Sequence, residues 1–188
     1  MNNLKPRNEQ TAPEPAREVL AQARKNFGFI PNLLGNMANA PTLLKAYLAV
    51  GALFDQTSLT ATERQVVLLT VSTENACGYC VAAHTAISGM QKVSSQVVNA
   101  IRDGEPIADS KLEALRIFTR EVVERRGWPS ATSYERFLDA GYTSEQALEV
   151  VLGVGMKTLS NYTNHLARTP LDPQFAPAAW EPAVATKA

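Results

Sequence analysis

Residues 77–84 read Cys-Gly-Tyr-Cys-Val-Ala-Ala-His, and this spacing limits what the surrounding chain can be. Cys77 and Cys80 lie three residues apart and Cys80 and His84 four apart, so on a helix the two sulfurs and the imidazole share one face on consecutive turns. On a strand the same residues would be divided between two faces. The sequence has two cysteines and two histidines in total, and three of the four fall in this octet. Any thiol chemistry therefore has to happen here. At a helix N-terminus the unpaired N–H groups and the dipole favour thiolate over thiol. His84, one turn further on, is placed to take a proton from Cys80 or, as imidazolium, to stabilise its anion.

The flanking sequence is rich in helix-start signals. Pro15 opens a first helix to about Asn26, and Phe27-Gly28-Phe29-Ile30-Pro31 ends it before a short helical piece, Asn32 to Ala38. Pro41 begins a helix to Asp55, and Thr60-Ala61-Thr62-Glu63 is a capping box for the next. The motif helix runs from Gly78 to about Gly89, followed by one from Ser94 to Asp103. Ser110-Lys111-Leu112-Glu113 has the spacing of a second box, with Arg116, Arg120, Glu121, Glu124 and Arg125 on a solvated face. Further helices are expected over Ser130–Ala140 and from Thr143 to about Ala167. Gly153 and Gly155 in the last one suggest a closely packed neighbour, expected to be the motif helix. Residues 1–14 read as a flexible arm, 15–168 as one all-helical domain, and 169–188 as a proline-rich tail whose aromatics, Phe175 and Trp180, need a surface to rest on, with a neighbouring subunit as one candidate. The expected fold class is all-α, a bundle of about eight helices.

Composition removes several function classes. The 18 basic and 18 acidic residues balance, which suggests neither nucleic acid nor an anionic membrane surface as partner. No apolar run reaches the length of a spanning helix, and the polar start is unlike a signal peptide, so a cytoplasmic location is expected. In that reducing compartment a close cysteine pair points to catalysis rather than to a structural disulfide. Glycine-rich phosphate loops and serine nucleophile elbows are absent. No cofactor is implied. Two other readings of the octet remain open: a redox-sensing or interaction protein without catalysis, and a zinc module using Cys77, Cys80, His84 and the distant His165.

The run TATERQVVLLTVSTENACGYCVAAH, residues 60–84, resembles the core of the AhpD-type alkylhydroperoxidase and carboxymuconolactone decarboxylase superfamily. The segments GFIPNLLG, residues 28–35, and NHLARTPLD, residues 164–172, resemble its peroxidase-related branch. The resemblance implies an AhpD-like all-helical subunit, a homo-oligomer (dimer, trimer or hexamer), and thiol-dependent reduction of a hydroperoxide substrate. It further implies Cys80 as the attacking cysteine and Cys77 as the resolving one, with an external thiol or dithiol protein as reductant. The family's relay glutamate, twelve residues before the first cysteine, is Gln65 here, and a histidine sometimes found before the second cysteine is Tyr79. An amide orients but takes up no proton. Glu74 is then the candidate replacement for the missing carboxylate, and Tyr79, Gln65 and His165 are candidates to bind substrate. Decarboxylase members lack the cysteine pair, which argues against lactone decarboxylation.

Overall fold

The computed structural model describes residues 4–182. These form nine α-helices and one 3-10 turn, with no strand among the described residues. The helices are α1 (Glu14–Phe27), α2 (Asn32–Met37), α3 (Pro41–Phe54), α4 (Ala61–Glu74), α5 (Gly78–Met90), α6 (Ser95–Asp103), α7 (Ser110–Glu124), α8 (Ala131–Asp139) and α9 (Ser144–Ala167), and the 3-10 turn is Ala176–Ala178.

Local chemistry sets most of these boundaries. Thr60 accepts from the Glu63 N–H while the Glu63 carboxylate receives the Thr60 N–H, and Thr143 with Gln146 repeats the arrangement at the start of α9. Ser94 and Ser130 cap α6 and α8. Gly28 and Gly104 end α1 and α6 in the left-handed region. The second expected box is displaced: Asp109, not Ser110, caps α7, accepting from the N–H groups of Lys111 and Leu112. Glu113 instead accepts from the Ile107 N–H and pairs with Arg116 at 2.7 Å. Arg116 is consequently buried rather than part of a solvated face.

Two apolar clusters fill the interior. The larger surrounds α4, with Val66, Val67, Leu69 and Val71 packed against Leu115 and Phe118 of α7, Phe137 of α8 and Val150 of α9. The smaller joins Leu20 of α1, Met37 of α2 and Leu44 of α3 to Cys77, Tyr79 and Cys80. The motif thus belongs to a hydrophobic cluster, not to a surface cleft. A β-carbon on Gly153 would stand 2.8 Å from Val67 and 2.9 Å from Phe54, so the helices approaching α9 there are α4 and α3 instead of the motif helix. Gly155 faces open space.

The first and last described segments are laid down on the domain. The Arg7 N–H donates to Gly35 O at 2.9 Å, Glu9 pairs with Arg24 at 2.6 Å and Ala12 is buried, so residues 4–13 make contacts with α1 and α2. Residues 1–3 of the expected arm lie outside the described residues. The tail folds back across the N-terminus of α5: Trp180 Nε1 donates to Arg102 O, and the Arg102 guanidinium donates to the carbonyls of Ala178 and Ala179. Through residue 182 it makes these contacts with its own chain, and residues 183–188 lie outside the described residues.

Candidate active site

The turn between α4 and α5 places the first thiol. Asn75 ends α4, Ala76 adopts a left-handed φ of 51°, and the N–H groups of Ala76 and Cys77 return to Thr73 O and Ser72 O. This is a Schellman closure whose last residue, Cys77, is also the N-cap of α5. Holding an alanine in the left-handed region costs about 1 to 2 kcal/mol. The closure fixes Cys77 at the head of α5, with Cys80 one turn below it. Both are free thiols and each is 1% exposed.

Helix α9 supplies the opposite wall. Lys157, Ser160, Asn161 and Asn164 follow helical spacing along one face, and all four are buried. Asn164 Nδ2 donates to Cys80 Sγ at 3.2 Å and to Cys77 Sγ at 3.7 Å. One amide therefore touches both sulfurs. Asn161 Oδ1 accepts from Asn75 Nδ2 at 2.9 Å, tying the Schellman turn to α9.

The two thiols are unequal. Burial alone would raise the Cys80 thiol, but the hydrogen bond from Cys77, the Lys157 charge and Ser160 outweigh it and hold Cys80 well below the ordinary cysteine range. Cys77 goes the other way, since donating its S–H to Cys80 and being buried both keep it protonated. Asn164, closer to Cys80, favours the same assignment. These directions make Cys80 the more acidic of the two sulfurs. Tyr47 of α3 borders them, its hydroxyl raised by burial and by the Cys80 charge.

His84 is 7% exposed and reaches Gln65 Oε1 of α4 through Nδ1 at 3.0 Å. Gln65 Nε2 in turn donates to Gln91 Oε1 at 3.1 Å, which leaves Oε1 as the acceptor and assigns the ring proton to Nδ1. Burial, with the Lys157 charge second, holds His84 well below the ordinary histidine range, so the imidazole is neutral. Of the two roles open to it in the sequence, the imidazolium is disfavoured.

Tyr79 points away from the sulfurs into a buried network. Its hydroxyl donates to Asp172 Oδ2 at 2.5 Å and accepts from the Leu33 N–H at 3.3 Å. The Asp172 carboxylate also receives the Asn32 N–H at the start of α2, so one acid joins α2, α5 and the tail. Burial raises that carboxyl above its usual value. Phe175 lies edge-on to both Tyr79 and Phe29, closing the layer over the motif.

Cys77, Cys80, His84 and Gln65 are thus gathered in one buried region, whereas the other candidates lie apart. Glu74 sits at the surface among Arg116, Arg120 and Glu124 and lines a cleft of about 220 Å³ with Arg102 and Trp180, outside the thiol cluster. His165 is exposed and stacks with exposed Tyr162. Among the described residues no cluster of three or more Cys, His, Asp or Glu side chains is arranged to hold a metal. A larger cleft of about 530 Å³, between α7 and α8, is also remote from the thiols. Lys157 and Asp172 had no counterpart among the sequence candidates. The proline pair around Asp172 was the available signal for the latter, and a lysine inside an otherwise apolar helix was the signal for the former.

Residues 41–120, from α3 into α7 and including the whole motif, match the carboxymuconolactone decarboxylase family. A search of curated proteins found no significant match. Among solved structures, the AhpD core of a peroxidase-related protein from Ralstonia eutropha JMP134 superposes with a TM-score of 0.80 at 20% identity, covering 93% of this chain and 96% of that one. The chain has an AhpD-like fold. This AhpD-like domain is also similar to a peroxidase-related protein from Silicibacter sp. TM1040, at TM-score 0.75, 17% identity and 87% coverage of each chain. The debrominase Bmp8, solved with 2,3,4-tribromopyrrole, superposes at TM-score 0.78 and 16% identity over 95% of this chain and 96% of its own. AhpD-like domains therefore carry more than one activity.

Proposed function

We propose that this protein is an enzyme that reduces hydroperoxides with its own dithiol. The observation that carries the reading is the Asn164 amide spanning both sulfurs, 3.2 Å from the more acidic one and 3.7 Å from the other. Cys80 thiolate attacks the distal oxygen of the hydroperoxide, the O–O bond breaks, and Cys80 becomes a sulfenic acid. The Cys77 sulfur then bonds to the Cys80 sulfur, its proton joining the departing hydroxide to form water. An external thiol or dithiol protein resets the disulfide by exchange. His84, neutral and oriented by Gln65, is a hydrogen-bonding partner rather than a cation in this scheme. A reducing compartment such as the cytoplasm suits a resting dithiol.

A second copy of the chain is the proposed cover for the outer face of α9, where Leu148, Val151, Tyr162 and Leu166 are exposed. Sedimentation of the intact protein reads this directly, and a monomer at micromolar concentration rejects it.

The activity is tested with a small organic hydroperoxide and excess dithiothreitol. Cys80→Ser is expected to abolish turnover. Reduced Cys77→Ser, freed of dithiothreitol, should consume one equivalent and stop, with a sulfenic acid at Cys80 that dimedone traps. Full turnover in Cys80→Ser rejects the mechanism.

A further inference from the structure

Lys157 is 0% exposed, and its Nζ has no hydrogen-bond partner among the described residues. Nor does a carboxylate neutralise it: the ion pairs of the described residues are Glu9–Arg24, Asp55–Arg64, Glu63–Lys111, Glu113–Arg116 and Glu121–Arg125. A buried ammonium without a counter-charge is costly, and an anion must be nearby for it to persist. It shares the buried face of α9 with Ser160 and Asn164, whose amide touches both sulfurs, and its charge acts on Cys80, Cys77 and His84 of α5. Tyr47 of α3 borders the same thiols, Gln65 of α4 is not ionisable, and Ser160, Asn161 and Asn164 on its own helix carry no charge. Of these groups, only the Cys80 thiolate supplies the missing negative charge, and that charge vanishes when the sulfurs bond.

The chemistry of the site lacks a proton in the same place. The alkoxide that leaves a hydroperoxide needs one. Gln65 is an amide, the neutral His84 has its N–H committed to Gln65, and the Cys77 proton is consumed in making water.

We propose that Lys157 is the proton reservoir of the dithiol, an ammonium while Cys80 is a thiolate and a neutral amine once the disulfide has formed. The balance closes without solvent. Thiolate, thiol, ammonium and ROOH become disulfide, amine, ROH and water, as two electrons pass from the sulfurs to the O–O bond. The Lys157 proton goes to RO and the Cys77 proton to the displaced hydroxide. Reduction of the disulfide reverses the transfer, recharging the amine as the thiolate returns. The use of this proton rests on the hydroperoxide reading, but its test does not.

The test uses diamide, an azo oxidant that accepts two electrons and two protons, on the reduced full-length protein at pH 7 in dilute buffer with an indicator dye. Cys80 alkylation by iodoacetamide, located by mass spectrometry, is followed against pH in parallel. The expected result is a Cys80 thiolate at pH 7 with no net proton drawn from solution per disulfide formed. In Lys157→Met, which fills similar volume without charge, the midpoint for Cys80 alkylation should rise by at least one pH unit while the helical circular dichroism is kept. The proposal is overturned by a wild-type uptake of one proton per disulfide, by a Cys80 that is protonated at pH 7, or by an unmoved midpoint in a folded Lys157→Met. If these results hold and hydroperoxide is not consumed, the reservoir stands and the peroxidase reading falls.

Discussion

His84 Nδ1 lies 3.0 Å from Gln65 Oε1, so the buried imidazole is held by a group that orients it but exchanges no proton with it. Changing that one partner changes the ring's charge. In Gln65→Glu a carboxylate would face the same nitrogen, and an adjacent anion favours imidazolium. The depressed His84 titration is expected to move upward toward or beyond the ordinary histidine value, read from the ring proton shifts by NMR. Because a raised histidine value stabilises the fold below the unfolded one, the variant should also gain stability relative to wild type on acidification from pH 7 to 6. A ring that stays neutral through this range in the variant contradicts the hydrogen-bond assignment.

Asp172 collects the Tyr79 hydroxyl and the Asn32 N–H, and removing it leaves both without that acceptor. Asp172→Ala is expected to cost about 2 to 3 kcal/mol in urea unfolding, the range for lost hydrogen bonds to a charged group. Burial raises the Asp172 carboxyl above its ordinary value. Its contribution is therefore complete below the unfolded value and is lost as pH rises through the folded one. The cost of the substitution should thus be larger at pH 4 than at pH 7. Equal costs at both would show that the acid titrates as it does in the unfolded chain.

Gly153 and Gly155 separate two effects of glycine in a helix. A methyl on Gly153 meets Val67 and Phe54 below 3.0 Å, and forcing it in should cost about 1 to 3 kcal/mol, more than the roughly 1 kcal/mol gained in helix propensity. Gly155→Ala meets nothing and should gain about 1 kcal/mol. Urea midpoints moving in opposite directions verify the packing of α9 on α3 and α4.

Much of the helical frame was legible because its signals are local. The boxes at Thr60 and Thr143, the serine caps at Ser94 and Ser130 and the glycine at 104 act within one turn and need no tertiary information. Asp109 took the cap expected at Ser110 because two neighbouring residues both offered a suitable oxygen, and a one-residue choice between them depends on the chain beyond. The site was half legible. Three of its groups lie in one octet of sequence, and the Schellman turn with α5 brings them together. The α9 wall was harder, since one residue is about 100° of helix rotation. Asn164 faces the sulfurs while His165 next to it faces solvent. Lys157 carried only a weak signal, because a lysine among apolar residues ordinarily extends its amine to water and here has no route to it.

In the proposed peroxidase cycle, the returning tail gives the two half-reactions different entrance requirements. Where a β-carbon on Gly78 would sit, the Trp180 carbonyl is already 2.7 Å away, so the backbone of the tail is pressed onto the first turn of α5 beside Cys77. A peroxide of a few atoms needs only a transient gap in that cover. A protein reductant must bring its own sulfur to Cys77 or Cys80 in line with the S–S bond, which requires the segment from Phe175 to Trp180 to lift. On the proposed peroxidase reading, oxidation proceeds on the shut form, and regeneration by a protein partner needs one that can displace this segment.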